Sequence, residues 1–86
     1  MRIWKWTLAV KDEQIIDLPM GAKILSVQMQ AGLPRLWALV NEHETLKQGR
    51  RIAIYGTGNP MPDSAGDYID TFQMHEGALV SHAFER

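Results

Sequence analysis

The stretch Arg50-Arg51-Ile52-Ala53-Ile54-Tyr55-Gly56-Thr57-Gly58 gathers the three kinds of group that a planar, anionic ligand requires. Arg50 and Arg51 offer guanidinium forks that match phosphate oxygens. Tyr55 offers a flat face on which a base can stack, and Trp37 offers a second. Gly56, Thr57 and Gly58 form a turn whose backbone N–H groups can converge on an anion. In a strand, alternation sets Arg51 and Tyr55 on one face and Arg50, Ile52 and Ile54 on the other. Arg51 and Tyr55 are then about 13 Å apart at ~3.3 Å per residue, a span comparable to a nucleotide. The turn amides lie at the Tyr55 end and Arg51 at the far end, so a site built here is expected to be completed across a subunit boundary. The turn is neither a P-loop, because no Gly-Lys-Ser/Thr follows, nor a dinucleotide fingerprint, because GTGNPM opens no helix. The competing reading is that Gly56 and Gly58 only permit a tight bend between strands.

Other chemistry is sparse. His43, His75 and His82 lack metal-ligand spacing. Asp63, Asp67 and Asp70 match no calcium loop, and Asp63 within Pro-Asp-Ser reads as a turn cap. There is no cysteine, hence no disulfide and no thiolate nucleophile or ligand. No GxSxG elbow occurs. The expectation is a binding protein, not an enzyme, with no cofactor and no metal.

Charge and hydropathy narrow the partners. The formal net charge is −1 and the pI is near 6.3, so a generic nucleic-acid binder that works by phosphate neutralisation is not expected. No apolar run approaches the ~20 residues of a membrane helix. The first residues, MRIWKWTLAVKDE, interrupt their apolar stretch with Lys5 and carry no small-residue cleavage site, so no signal peptide is expected.

The elements that must position these groups read as strands throughout. Residues 2–10 alternate with Trp4, Trp6, Leu8 and Val10 on one face, and a short strand follows at 14–18. Residues 22–30 are the cleanest strand, joined through Ala31-Gly32-Leu33-Pro34 to a partner at 35–40. Residues 41–50 are polar and read as a loop. Strands at 51–56, 68–75 and 78–84 complete the chain, the first two separated by a Gly- and Pro-rich segment at 57–67. Val80, His82 and Phe84 share a face of the last strand, where His82 reads as a partly buried, hydrogen-bonded residue. The expected fold is all-β, a small antiparallel sandwich or barrel of about seven strands in one domain, 1–86. With 86 residues and three tryptophans, the core is thin and apolar surface is left over. A homo-oligomer is therefore expected, with Trp6 and Trp37 at the interface or in the core.

The run LPMGAKILSVQMQAGLPRLWALV (18–40), then IYGTGNPMP (54–62) and YIDTFQMHEGALVSHAFE (68–85), resembles a family of small proteins encoded by tailed bacteriophages and prophages. The resemblance covers nearly the whole chain. Where that family tends to show a Gly after the strand-initial Tyr-Ile, this chain has Asp70. The resemblance implies a phage accessory protein working in the host bacterial cytoplasm, and small accessory proteins of this kind often act against host defence by binding. Its most specific form is an oligomeric sponge for a nucleotide immune signal of cyclic-nucleotide or ADP-ribose type. The alternatives are an inhibitor that binds a host defence protein directly and a small β-structured virion component.

Overall fold

Period-two alternation dictates the architecture. In the computed structural model, which describes residues 1–86, seven strands form: β1 (Arg2–Thr7), β2 (Glu13–Pro19), β3 (Lys23–Gln30), β4 (Leu33–Val40), β5 (Lys47–Gly56), β6 (Asp67–Met74) and β7 (Leu79–Glu85). One sheet has the order β1-β4-β3 and the other β2-β5-β7-β6, and all pairings are antiparallel. The two sheets pack as a small sandwich, as the spacing of turn signals predicts.

The inward positions supply a single core. Leu36, Ala38 and Val40 of β4 meet Val27 of β3, Ile52 of β5, Phe72 of β6 and Ala83 of β7, with Leu8 and Leu18 closing the ends. Trp6 is partly buried and packs against this core, whereas Trp4 keeps 38% of its surface exposed.

Several boundaries differ from expectation for identifiable reasons. β1 stops at Thr7, and Val10 is exposed in the following loop. The β3–β4 connection is only Ala31-Gly32, with φ of 51° and 80°, the signature of a type I′ hairpin that matches strand twist; Leu33 and Pro34 already belong to β4. β5 begins at Lys47, not Arg51, because Lys47, Gln48 and Gly49 pair with Pro19, Leu18 and Asp17 of β2. Partner strand, not local composition, extends it.

The seam between the sheets closes at β3 and β6. Register shifts occur at Ile24/Ser26 in β3 and at Tyr68/Asp70 in β6. Such bulges bend a strand and raise its twist. The second one turns Asp70 inward, where its Oδ2 accepts the Val27 amide at 3.2 Å. Gln28 Nε2 also donates to the Thr71 carbonyl at 3.2 Å.

Candidate functional site

The outer face of the four-stranded sheet carries the chemistry. On β5, Arg51, Ala53 and Tyr55 project outward, opposite Ile52, which is fully buried. The antiparallel register sets Ala53 against Phe84 and Tyr55 against His82, and on the other flank sets Tyr68 against Phe84 and Thr71 against His82. Three aromatic rings from three adjacent strands therefore form a row. The Tyr55 and Phe84 centroids are 5.9 Å apart at 67°, and those of Tyr68 and Phe84 are 5.6 Å apart at 70°. Both contacts are edge-to-face, the favoured arrangement of ring quadrupoles. Ala53 is 1% exposed among the rings, while Tyr68 keeps 59% of its surface in solvent.

A hydrogen-bonded chain runs along this plate. Thr57 Oγ1 lies 3.3 Å from the Val80 carbonyl and 2.7 Å from His82 Nε2. His82 Nδ1 lies 2.9 Å from Thr71 Oγ1, which lies 2.7 Å from the Tyr68 hydroxyl. The Val80 carbonyl can only accept, so the Thr57 hydroxyl donates to it. His82 Nε2 then donates to Thr57; with a lone pair on Nδ1, that nitrogen accepts from Thr71, and Tyr68 donates to Thr71. This proton arrangement satisfies all four contacts. His82 is thus part-buried and hydrogen-bonded, as its strand position suggested, with hydroxyl groups for partners.

A cationic edge borders the rings. Glu13 of β2 bridges two guanidinium groups: Arg51 Nε at 3.2 Å and Arg86 Nη1 at 3.4 Å. The Arg86 amide also donates to the Arg51 carbonyl at 3.0 Å, which fixes the two residues side by side. Among these three side chains one positive charge is left over. It lies two residues along β7 from Phe84, about 7 Å at strand spacing.

The structure redistributes the residues singled out in the sequence. Arg51 and Tyr55 do share a face. Arg50 points inward and is not free for a phosphate. Its Nε and Nη2 both donate to the Glu85 carboxylate, the latter at 2.9 Å, and Nη1 donates to the Ala22 carbonyl at 2.8 Å. The Glu85 hydrogen bonds raise the Arg50 pKa further above its ordinary value, against the opposing effect of desolvation. The turn also presents no ready nest of amides. The Thr57 amide donates to the Val80 carbonyl at 3.0 Å, and the Asn59 amide turns back to Gly56 at 3.0 Å. At Gly56 a Cβ would lie 2.8 Å from Asn59 Nδ2, the movable end of an exposed side chain. Gly58, at φ +86°, supplies the left-handed bend. Thr57 contributes through its hydroxyl instead. Trp37 lies on β4 of the other sheet, away from Tyr55.

Sequence reading missed Tyr68, Phe84, Thr71 and Arg86. The shared face of His82 and Phe84 was visible, but their register against β5 was not. No curated protein and no solved structure matches the chain. One family model matches, a domain of unknown function, DUF7352, over residues 1–86, and the chain belongs to that family.

Proposed function

We propose that this protein binds a nucleotide on the outer face of the four-stranded sheet and acts by holding it. The base stacks on Phe84 between Tyr55 and Tyr68, and the phosphate meets Arg51 and Arg86. The observation that carries this reading is the juxtaposition of three partly exposed rings with a pair of arginines that share a single carboxylate. Base–aromatic stacking and charge-assisted phosphate contacts are the two terms that nucleotide affinity needs. The Thr57–His82–Thr71–Tyr68 chain adds polar groups along the plate's rim.

Taken with the resemblance to small phage and prophage proteins, the reading extends to a phage accessory protein of the host cytoplasm that sequesters a nucleotide immune signal. Cyclic dinucleotides and ADP-ribose derivatives both combine flat bases with anionic phosphates. A single chain brings rings and arginines together, so binding needs no subunit boundary; a homo-oligomer would multiply the sites. Calorimetric titration against a panel of these ligands tests it. Wild type binds at least one member. Arg51→Ala weakens binding about tenfold or more, a charge-assisted bond being worth roughly 1.5–3 kcal/mol. Tyr68→Ala weakens it by a similar factor through lost stacking. Wild type binding no member of the panel overturns the proposal.

A further inference from the structure

A cavity opens at one end of the sandwich, between the two sheets. Pro34 of β4 forms one wall, and Ile54 of β5 with Phe72 and Met74 of β6 form the other; the volume is about 530 Å³. That lies within the range of roughly 300–1,000 Å³ typical of small-molecule sites. The cavity arises where the inward positions of β5 and β7 run out of large side chains. Along β5 they pass from Ile52 and Ile54 to Gly56, and along β7 from Ala83 to Ser81. Gly56 pairs with Ser81, and Ser81 pairs with Phe72. A glycine beside a serine therefore leaves the space between the sheets unfilled at this end. Ile54 and Met74 pack against the core yet stay partly buried, with surface turned into the cavity.

Ser81 supplies the polar chemistry of the interior. It is 6% exposed and lines the cavity. Its hydroxyl bonds to no other group of the chain. The only side-chain atom that is both sealed and unpartnered belongs to Glu42, so the Ser81 hydroxyl is reached through the cavity. Buried hydroxyls are hydrogen-bonded as a rule, and a partner for this one comes from outside the chain. Phe72, also on the lining, is 2% exposed, too deep for a flat partner surface to reach. A phenylalanine ring and a methionine thioether suit a flat aromatic ring. Charge selects further. Lys11 and Asp12 stand side by side on the lining, and no other ionisable group does. Neither takes part in an ion pair of the chain, and their charges cancel. A net-charged ligand would give up hydration to apolar walls without an excess of counter-charge.

We infer that this end cavity is a binding site for a small, uncharged aromatic molecule whose polar group hydrogen-bonds to the Ser81 hydroxyl. It lies on the inner side of β5 and β7, shares only the Thr57 turn with the nucleotide face, and stands without the nucleotide reading. The probe is 2-naphthol, titrated into the isotope-labelled full chain, with naphthalene and 2-naphthoate for comparison. The expected result is saturable shifts of the Ile54, Met74 and Leu79 methyl signals, with Trp4 and Tyr68 unmoved. Ser81→Ala, with unchanged far-UV circular dichroism, weakens 2-naphthol binding about fivefold, as loss of one neutral hydrogen bond does, and leaves naphthalene binding as it was. No saturable shift of the cavity signals in wild type overturns the inference, as does equal binding of 2-naphthol by Ser81→Ala. Tighter binding of 2-naphthoate than of 2-naphthol also overturns it and makes Lys11 the recognising group. A dimer whose formation excludes 2-naphthol overturns it as well and makes a second copy the occupant.

Discussion

The Asp70 carboxylate does for Val27 what a neighbouring strand would do: its Oδ2 accepts the Val27 amide at 3.2 Å across the seam between the sheets. Val27 is fully buried, so this donor has no access to water. The same carboxylate accepts the Thr71 amide through Oδ1 at 2.9 Å, which holds the β6 bulge in shape. Together with the Gln28–Thr71 bond, this side chain closes one side of the sandwich. Asp70→Ala should lower stability by roughly 1–3 kcal/mol, the cost of orphaning a buried donor. Asp70→Asn keeps an acceptor and should lose less. Urea unfolding would show this as a lower midpoint at unchanged slope.

Arg50 and Arg51 are neighbours with opposite duties, and paired substitutions separate them. Arg50 is 15% exposed and bound to Glu85 and Ala22. Arg50→Ala should cost roughly 1.5–3 kcal/mol of stability, since it strands the Glu85 carboxylate. In the folded fraction it should leave nucleotide affinity unchanged. Arg51→Ala, at a half-exposed position, should do the reverse, with stability changed by less than about 1 kcal/mol. Thermal melts and calorimetry on both variants make the comparison.

Gly66 is fixed by space as well as by conformation. At φ +99°, a Cβ would lie 2.1 Å from the Glu85 carbonyl oxygen. Gly66→Ala must therefore push the end of β7 away, together with the Glu85 that anchors Arg50 and the Arg86 that flanks the rings. A loss of roughly 2 kcal/mol or more is expected, from left-handed strain plus backbone displacement. Denaturant midpoints check it.

Most of the fold was legible because strands such as β3 and β4 alternate between more and less buried positions, which makes period two a strong signal. The start of β5 was not, because Lys47-Gln48-Gly49 has no apolar residue and owes its strand geometry to β2. The site was half legible. Arg51 and Tyr55 were placed on one face by alternation alone. Phe84 and Tyr68 reach them only through the register of β5, β7 and β6, which the long 57–66 connection does not encode locally. Arg50 was legible in principle, since a guanidinium on the apolar face with Ile52 and Ile54 must find a buried partner.

Ala31 occupies a position suited to other residues. Its φ of 51° lies in the left-handed region, which costs a residue with a Cβ about 1–2 kcal/mol. Asparagine is favoured there in a type I′ turn ahead of glycine. Ala31→Asn should raise stability by roughly 0.5–1 kcal/mol, read as a higher melting temperature. An unchanged or lower value would contradict the turn assignment.

A heteronuclear NMR titration of the isotope-labelled chain with ADP-ribose and cyclic dinucleotides tests the nucleotide-binding face most directly. It locates binding as well as detecting it. The account predicts saturable shifts in the signals of Arg51, Tyr55, Tyr68, His82, Phe84 and Arg86, with Arg50, Trp4 and Trp37 unmoved. Shifts centred on the tryptophans, or no shift with any of these ligands, would contradict it.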